Sequence, residues 1–177
     1  MRKNHANKKP SQKGRTVTFR RRCIVWREVI GMMVISAGRP KAVAWVRGEE
    51  GLRGSVTFYS IPDGTLVTAE LQGLPERETG FFGFHIHEGG DCGGADFGNT
   101  KGHLNPQGLP HPRHMGDLPP LLEMPGGRAF LAVKTGRFQP EDIIGRTVVI
   151  HDSPDDFHTQ PSGNSGKKIG CGVIRRI

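Results

Sequence analysis

The sequence predicts a single all-β domain with two long functional loops. Three observations predict it. Glycine and proline are abundant, 26 and 13 of 177 residues, and the apolar runs between them are short, which favours many strands over long helices. Two segments, 88–117 and 152–170, break the strand pattern and are rich in Gly, Pro, Asn and His. Hydrophobic residues make up 34% of the chain, enough for one core, and the length is too short for two domains of ordinary size.

Taken in order, Ala42-Val43-Ala44-Trp45-Val46 alternates as a strand does, and Ser55-Val56-Thr57-Phe58-Tyr59 follows after a turn at Gly51-Leu52-Arg53-Gly54. Pro62-Asp63-Gly64 is a turn signal, and Leu66 to Leu71 alternates again, so these two strands predict a hairpin. Further strands are expected over Phe81 to His87, Leu118 to Met124, Ala129 to Lys134, Thr147 to His151 and Gly172 to Ile174, eight in all. Pro140-Glu141-Asp142 resembles a helix start, which predicts a helical turn over Gln139 to Ile144. Trp45 is expected in the core. Loops as long as 88–117 and 152–170 are uncommon in a compact domain unless they are functional or disordered, and their chemistry points to function.

The formal charge of +8 resembles a nucleic-acid signature until it is placed along the chain. Residues 1–36 hold ten Lys and Arg against one acid, Glu28, and the rest of the chain holds 15 bases against 16 acids. The excess therefore describes a basic extension, 1–36, ahead of a nearly neutral domain, 37–177. Its one aromatic before Trp26 is Phe19, and it carries no recognisable binding module, so no specific nucleic-acid partner is expected. Arg20-Arg21-Arg22 precedes an apolar run as in a signal peptide, but Arg27 and Glu28 interrupt that run. The uncharged remainder, Val29 to Ala37, is far shorter than a membrane span. We expect translation to begin at Met32 or Met33 and a cytoplasmic location, with secreted or periplasmic as the alternative. The cysteines are Cys23, Cys92 and Cys171, and their spacing leaves both a Cys92–Cys171 bridge and two free thiols open.

Six of eight histidines fall between positions 85 and 151. His85 and His87 are two apart in an apolar strand, so they point to one face and can reach one ion. His111, His114 and Asp117 are spaced three and three, and with His103 they supply three nitrogens and one carboxylate oxygen, a tetrahedral set for zinc. His151 ends a strand and adds a third ligand to His85 and His87. A fourth suits the tetragonal preference of oxidised copper, and a histidine using both ring nitrogens can serve two metals, which makes His103 the candidate bridge. His5 and His158 are expected to be solvated, and Trp26 needs no ligand.

These residues resemble one family, the copper,zinc superoxide dismutases. The resemblance is carried by Gly83-Phe84-His85-Ile86-His87-Glu88, Gly102-His103-Leu104-Asn105-Pro106, Arg113-His114-Met115-Gly116-Asp117-Leu118, Gly145 to His151, and Gly163-Asn164-Ser165-Gly166 through Gly170-Cys171-Gly172-Val173-Ile174, within roughly Pro40 to Ile174. It implies an eight-stranded Greek-key β-barrel of the sandwich type. It implies copper on His85, His87, His103 and His151, zinc on His103, His111, His114 and Asp117, and a disulfide between Cys92 and Cys171. It also implies a supporting aspartate at Asp155, with Asp156 the competing assignment, that ties a copper histidine to a zinc histidine. The implied activity is dismutation of superoxide to oxygen and peroxide, with Lys168 guiding the anion and His103 taking up a proton, and the implied assembly is a homodimer. The alternative is a non-catalytic metal-binding protein of the same fold. One departure matters most: the guiding residue of the family is usually arginine, and lysine keeps the charge but loses the planar fork of donors. The zinc segment and the final loop are also short.

Overall fold

The computed structural model describes residues 38–177; the basic extension, its arginine run and Cys23 lie outside the described residues. Nine antiparallel strands form one nearly closed sheet: β1 (Ala42–Gly48), β2 (Arg53–Ile61), β3 (Gly64–Gln72), β4 (Phe81–Phe82), β5 (Phe84–His87), β6 (Leu121–Met124), β7 (Arg128–Thr135), β8 (Thr147–His151) and β9 (Lys168–Arg176). Their order is β4-β6-β7-β3-β2-β1-β9-β8-β5. The two ends of that order, β4 and β5, are separated in sequence by Gly83 alone.

Gly83 explains why nine strands replace the eight expected. Its N–H donates to Ser153 O at 2.8 Å and its carbonyl accepts from the His151 N–H at 2.8 Å. A Cβ there would press on Ser165 Cβ at 2.8 Å. The chain must therefore turn tightly against the 152–167 loop, and the expected strand Phe81 to His87 divides in two. β6 begins at Leu121 rather than Leu118, because Pro119 and Pro120 have no N–H to offer a ladder. The expected hairpin is β2–β3, in register from Arg53↔Gln72 to Ile61↔Gly64. The Pro140–Ile143 segment is a short 3-10 helix, held at its start by the Gln139 N–H donating to the Asp142 carboxylate at 2.8 Å.

The core lies inside the barrel, where Ala42, Ala44, Val46, Val56, Phe58, Val67, Phe82, Phe84, Ile86, Leu121, Val148, Ile150 and Ile174 are buried. Trp45 is not in it. With Ala42, Ala44 and Val46 pointing inward, the two-residue period of a strand turns Trp45 outward, where it is 69% exposed. The small alanines hold the inward positions because the interior is already filled by phenylalanines.

Cys92 and Cys171 form a disulfide across 79 residues of sequence. It ties the loop after β5 to β9, and in the chain-entropy picture a closure of this length restrains the unfolded chain by about 4 kcal/mol. Among the described residues no helix is long and apolar enough to cross a membrane.

Candidate metal centre

β5 holds His85 and His87 on its outward face, opposite Val149 and Thr147 of β8. The 88–120 loop folds back over that face. Leu104 N–H donates to Ile86 O at 2.8 Å, Ile86 N–H to Gly116 O at 2.8 Å and Gly116 N–H to Leu104 O at 2.9 Å. A side chain at Gly116 would overlap the Ile86 carbonyl, so only glycine permits the approach. The result sets His103 beside His87 and Asp117 beside His85 in bridge pairing. His151 enters from the end of β8, just after a register shift at Ile150/His151.

Two buried groups result. His85, His87, His103 and His151 each offer an atom within 4.8 Å of the others, and so do His103, His111, His114 and Asp117. His103 belongs to both. Its ring stacks on that of His85 with centroids 3.9 Å apart.

Hydrogen bonding sets which ring nitrogens carry protons. His87 Nδ1 lies 2.9 Å from Lys101 O and His151 Nδ1 lies 3.4 Å from Gly166 O. A carbonyl only accepts, so both Nδ1 atoms donate and both Nε2 atoms are left as bare lone pairs, which face each other at 3.3 Å. Asp155 accepts from His85 Nε2 at 2.8 Å and from His111 Nε2 at 2.9 Å, which leaves Nδ1 of each ring bare. His103 Nδ1 donates to Asp117 at 2.8 Å. Buried and without a hydrogen-bond partner are His85 Nδ1, His103 Nε2, His111 Nδ1 and His114 Nδ1. Bare acceptors converging in a buried space repel one another and are costly unless a cation sits among them. The donor set is four nitrogens in one group and three nitrogens with a carboxylate in the other, which fits copper beside zinc.

Protonation states agree. Burial holds His85 down to about 4 and His151 down to about 3, and drives His87 well below its ordinary value, so all three rings are neutral and able to ligate at neutral pH. Burial would raise the Asp155 carboxyl, but hydrogen bonds from His85, the Phe157 N–H and His111 keep it ionised well below the usual range. Asp117 is held low in the same way by His103 and the His114 N–H.

A pH dependence follows for the metal-free protein. The unfolded chain protonates these rings near 6.5 while the folded chain resists until about 4 or below, so the unfolded state binds more protons as pH falls. Stability is therefore full above the unfolded pKa and falls from about pH 6.5 downward, with a slope of about 1.4 kcal/mol per pH unit for each such ring. Urea unfolding of metal-free protein from about pH 4.5 to about pH 8 measures it.

The comparisons with known proteins decide the family. Residues 52–174 match the family model for "Copper/zinc superoxide dismutase (SODC)". The chain belongs to the copper/zinc superoxide dismutase family. A "Superoxide dismutase [Cu-Zn]" of Deinococcus radiodurans is 36% identical over 161 residues, covering 79% of this chain and 87% of the relative. "Superoxide dismutase [Cu-Zn] 3" of Arabidopsis thaliana is 35% identical, covering 77% and 91%. A mouse "Copper chaperone for superoxide dismutase" is 33% identical, covering 76% of this chain and 53% of the relative. Among solved structures, the clock protein EA4 matches with a TM-score of 0.68 and 33% identity, covering 77% of this chain and 94% of that one.

Within this family member, a cleft of about 410 Å³ opens onto the histidines and is lined by His87, His103, His151 and Lys168 among others. Lys168 donates to Thr100 Oγ1 at 2.7 Å and to Lys101 O at 2.9 Å. Of the two aspartates weighed from sequence, Asp155 makes the histidine contacts, while Asp156 accepts from the Thr159 hydroxyl and the His158 N–H in a surface turn. His158 is exposed beside it. Lys167 sits outside the cleft, its N–H donating to the Asp152 carboxylate at 2.8 Å.

Sequence reasoning missed several supporting residues. Gln160 makes a reciprocal pair with the backbone of His111, and Arg137 donates to the carbonyls of His114 and Asp117 at 2.9 and 3.1 Å. These act across 20 to 49 residues of chain through backbone groups, for which sequence carries no signal.

Proposed function

We propose that this chain catalyses the dismutation of superoxide: two superoxide anions and two protons yield one oxygen and one hydrogen peroxide. The observation that carries the reading is the pair of buried groups of potential ligand atoms that share His103. Copper would be held by His85 Nδ1 and the Nε2 atoms of His87, His103 and His151, and zinc by the Nδ1 atoms of His111 and His114, the Asp117 carboxylate and His103 Nδ1, whose proton, donated to Asp117 in the metal-free site, zinc would displace. Copper, when bound, would supply the one-electron exchange with superoxide, and zinc would hold the loop and the shared imidazole in place.

The chain's own residues do the rest. Lys168 places a positive charge in the mouth of the cleft, drawing the anion toward the histidines. Its ammonium is half-buried, which lowers its pKa, but two hydrogen bonds hold it in the charged form's donor role. His103 Nε2 is buried without a protein partner, so whenever it is not held by the metal its lone pair is free to take up the proton that is delivered to the reduced substrate. Asp155 fixes the tautomers of His85 and His111 from behind.

The test is metal content and dismutation activity of the full chain reconstituted with copper and zinc, beside Lys168→Met. One copper and one zinc per chain with turnover is the expected result. The variant should keep both metals and lose about tenfold in rate at low salt, with a flatter salt dependence, because steering is lost. Copper and zinc without turnover would instead favour the non-catalytic metal-binding reading.

We read β4 and β5 as one strand bent at Gly83, which supports the family's eight-stranded Greek-key barrel. We also assign 37–177 to the catalytic domain and 1–36 to an extension, since the family match lies within the former. A homodimer belongs to the same reading, supported by Phe81, Leu122, Met124 and Phe130, all exposed on the neighbouring strands β4, β6 and β7. Sedimentation should give twice the chain mass, and Leu122→Glu should return it to one.

A further inference from the structure

We infer that Thr100 is a positioning residue for Lys168, and that the pair takes over the directional role of the arginine usual at this position. This rests on the dismutase reading above. The bonding of Thr100 is one-directional. Its side chain is fully buried, and its hydroxyl donates to Phe97 O at 2.8 Å. The hydroxyl proton is thereby committed, so its oxygen presents only lone pairs toward Lys168 Nζ at 2.7 Å. An ammonium has three N–H groups and no acceptor. One goes to Thr100 and one to Lys101 O, leaving one for the cleft that Lys168 lines.

A lysine alone is a mobile point charge on a flexible stem, whereas a guanidinium is a rigid fork. Two fixed acceptors give the ammonium what its own chemistry lacks, a single orientation. The acceptors are themselves held. Thr100 O accepts from the Gly89 N–H at 2.8 Å, and any side chain at Gly89 would overlap the Asn99 carbonyl. Lys101 O accepts from His87 Nδ1 as well as from Lys168, so one carbonyl registers the cation against a histidine of the site. The Cys92–Cys171 bridge joins this loop to the strand that carries Lys168 three residues earlier.

The experiment compares Thr100→Val, Thr100→Ala and Thr100→Ser, each alone and with Lys168→Met, in full chain loaded with copper and zinc. Two readouts are taken: azide affinity by absorption titration, and the ionic-strength dependence of the dismutation rate. Thr100→Val and Thr100→Ala should each weaken azide about tenfold, the worth of one charge-assisted hydrogen bond, while Thr100→Ser stays within about twofold. The salt slope should persist in the Thr100 variants, because the charge remains, and flatten in Lys168→Met. In the Lys168→Met background, removing the hydroxyl should cost nothing further. Unchanged azide affinity in Thr100→Val and Thr100→Ala, or an equal loss with and without Lys168, would overturn the inference. A chain that takes up neither metal or does not turn over would overturn the dismutase reading and this inference with it. A loaded, active chain indifferent to Thr100 would overturn this inference alone.

Discussion

Replacing His103 with alanine should remove dismutation by about a thousandfold or more, leave the copper group incomplete and weaken zinc binding in the same protein. The expectation rests on His103 being common to both buried groups. Its Nε2 has no protein partner and its Nδ1 reaches Asp117, so one truncation withdraws a nitrogen from each set. The stacked contact with His85 disappears too, freeing that ring to move. Metal content by mass spectrometry on the purified variant, beside activity, checks both halves. Retention of one copper, one zinc and activity would contradict the shared role. His114→Ala separates the two metals, since it touches the zinc group only: zinc should fall while copper remains.

Asp155→Ala should lower the affinity for each metal by about 10- to 100-fold and destabilise the metal-free fold by several kcal/mol, although Asp155 is a ligand in neither group. Its two carboxylate oxygens hold His85 Nε2 and His111 Nε2, one ring from each group, and both rings are fully buried. Removing it leaves two buried N–H donors unpaired, each costing about 1–3 kcal/mol. It also frees either ring to shift its proton to the nitrogen that must stay bare. Asp155→Asn keeps the volume and one acceptor, so it should retain one of the two ring contacts and fall between. Competition with a chelator of known affinity, followed for copper and zinc separately, reads the loss. Asp156→Ala is the control: its contacts are confined to a surface turn with His158 and Thr159, and metal affinity should not move.

Why was so much of the centre legible in the sequence? Metal ligands must be particular residue types, and a strand makes i and i+2 neighbours on a face, so His85 and His87 were readable as a pair. The same period was available at Ala42 to Val46, yet it does not say which of two apolar faces turns inward. Residue type alone places Trp45 in the core, but it lies outside because Ala42, Ala44 and Val46 take the inward positions of β1 and the two-residue period turns Trp45 away. The strand Phe81 to His87 reads as continuous for a similar reason: the break at Gly83 is imposed by Ser153 and Ser165, far later in the chain.

The sequence by itself determined the all-β class, the order of the strands along the chain, the two functional loops and the identity of the residues able to hold metal. Each of these depends on residue type and local period. Only the tertiary structure decided that these rings and the carboxylate come within reach of one another in buried space, that Asp155 rather than Asp156 lies behind them, and that Thr100 and the Lys101 carbonyl hold Lys168. Those facts depend on where loops land after the barrel closes. Which nitrogen keeps its proton is then set by backbone carbonyls and carboxylates that reach the rings from far along the chain.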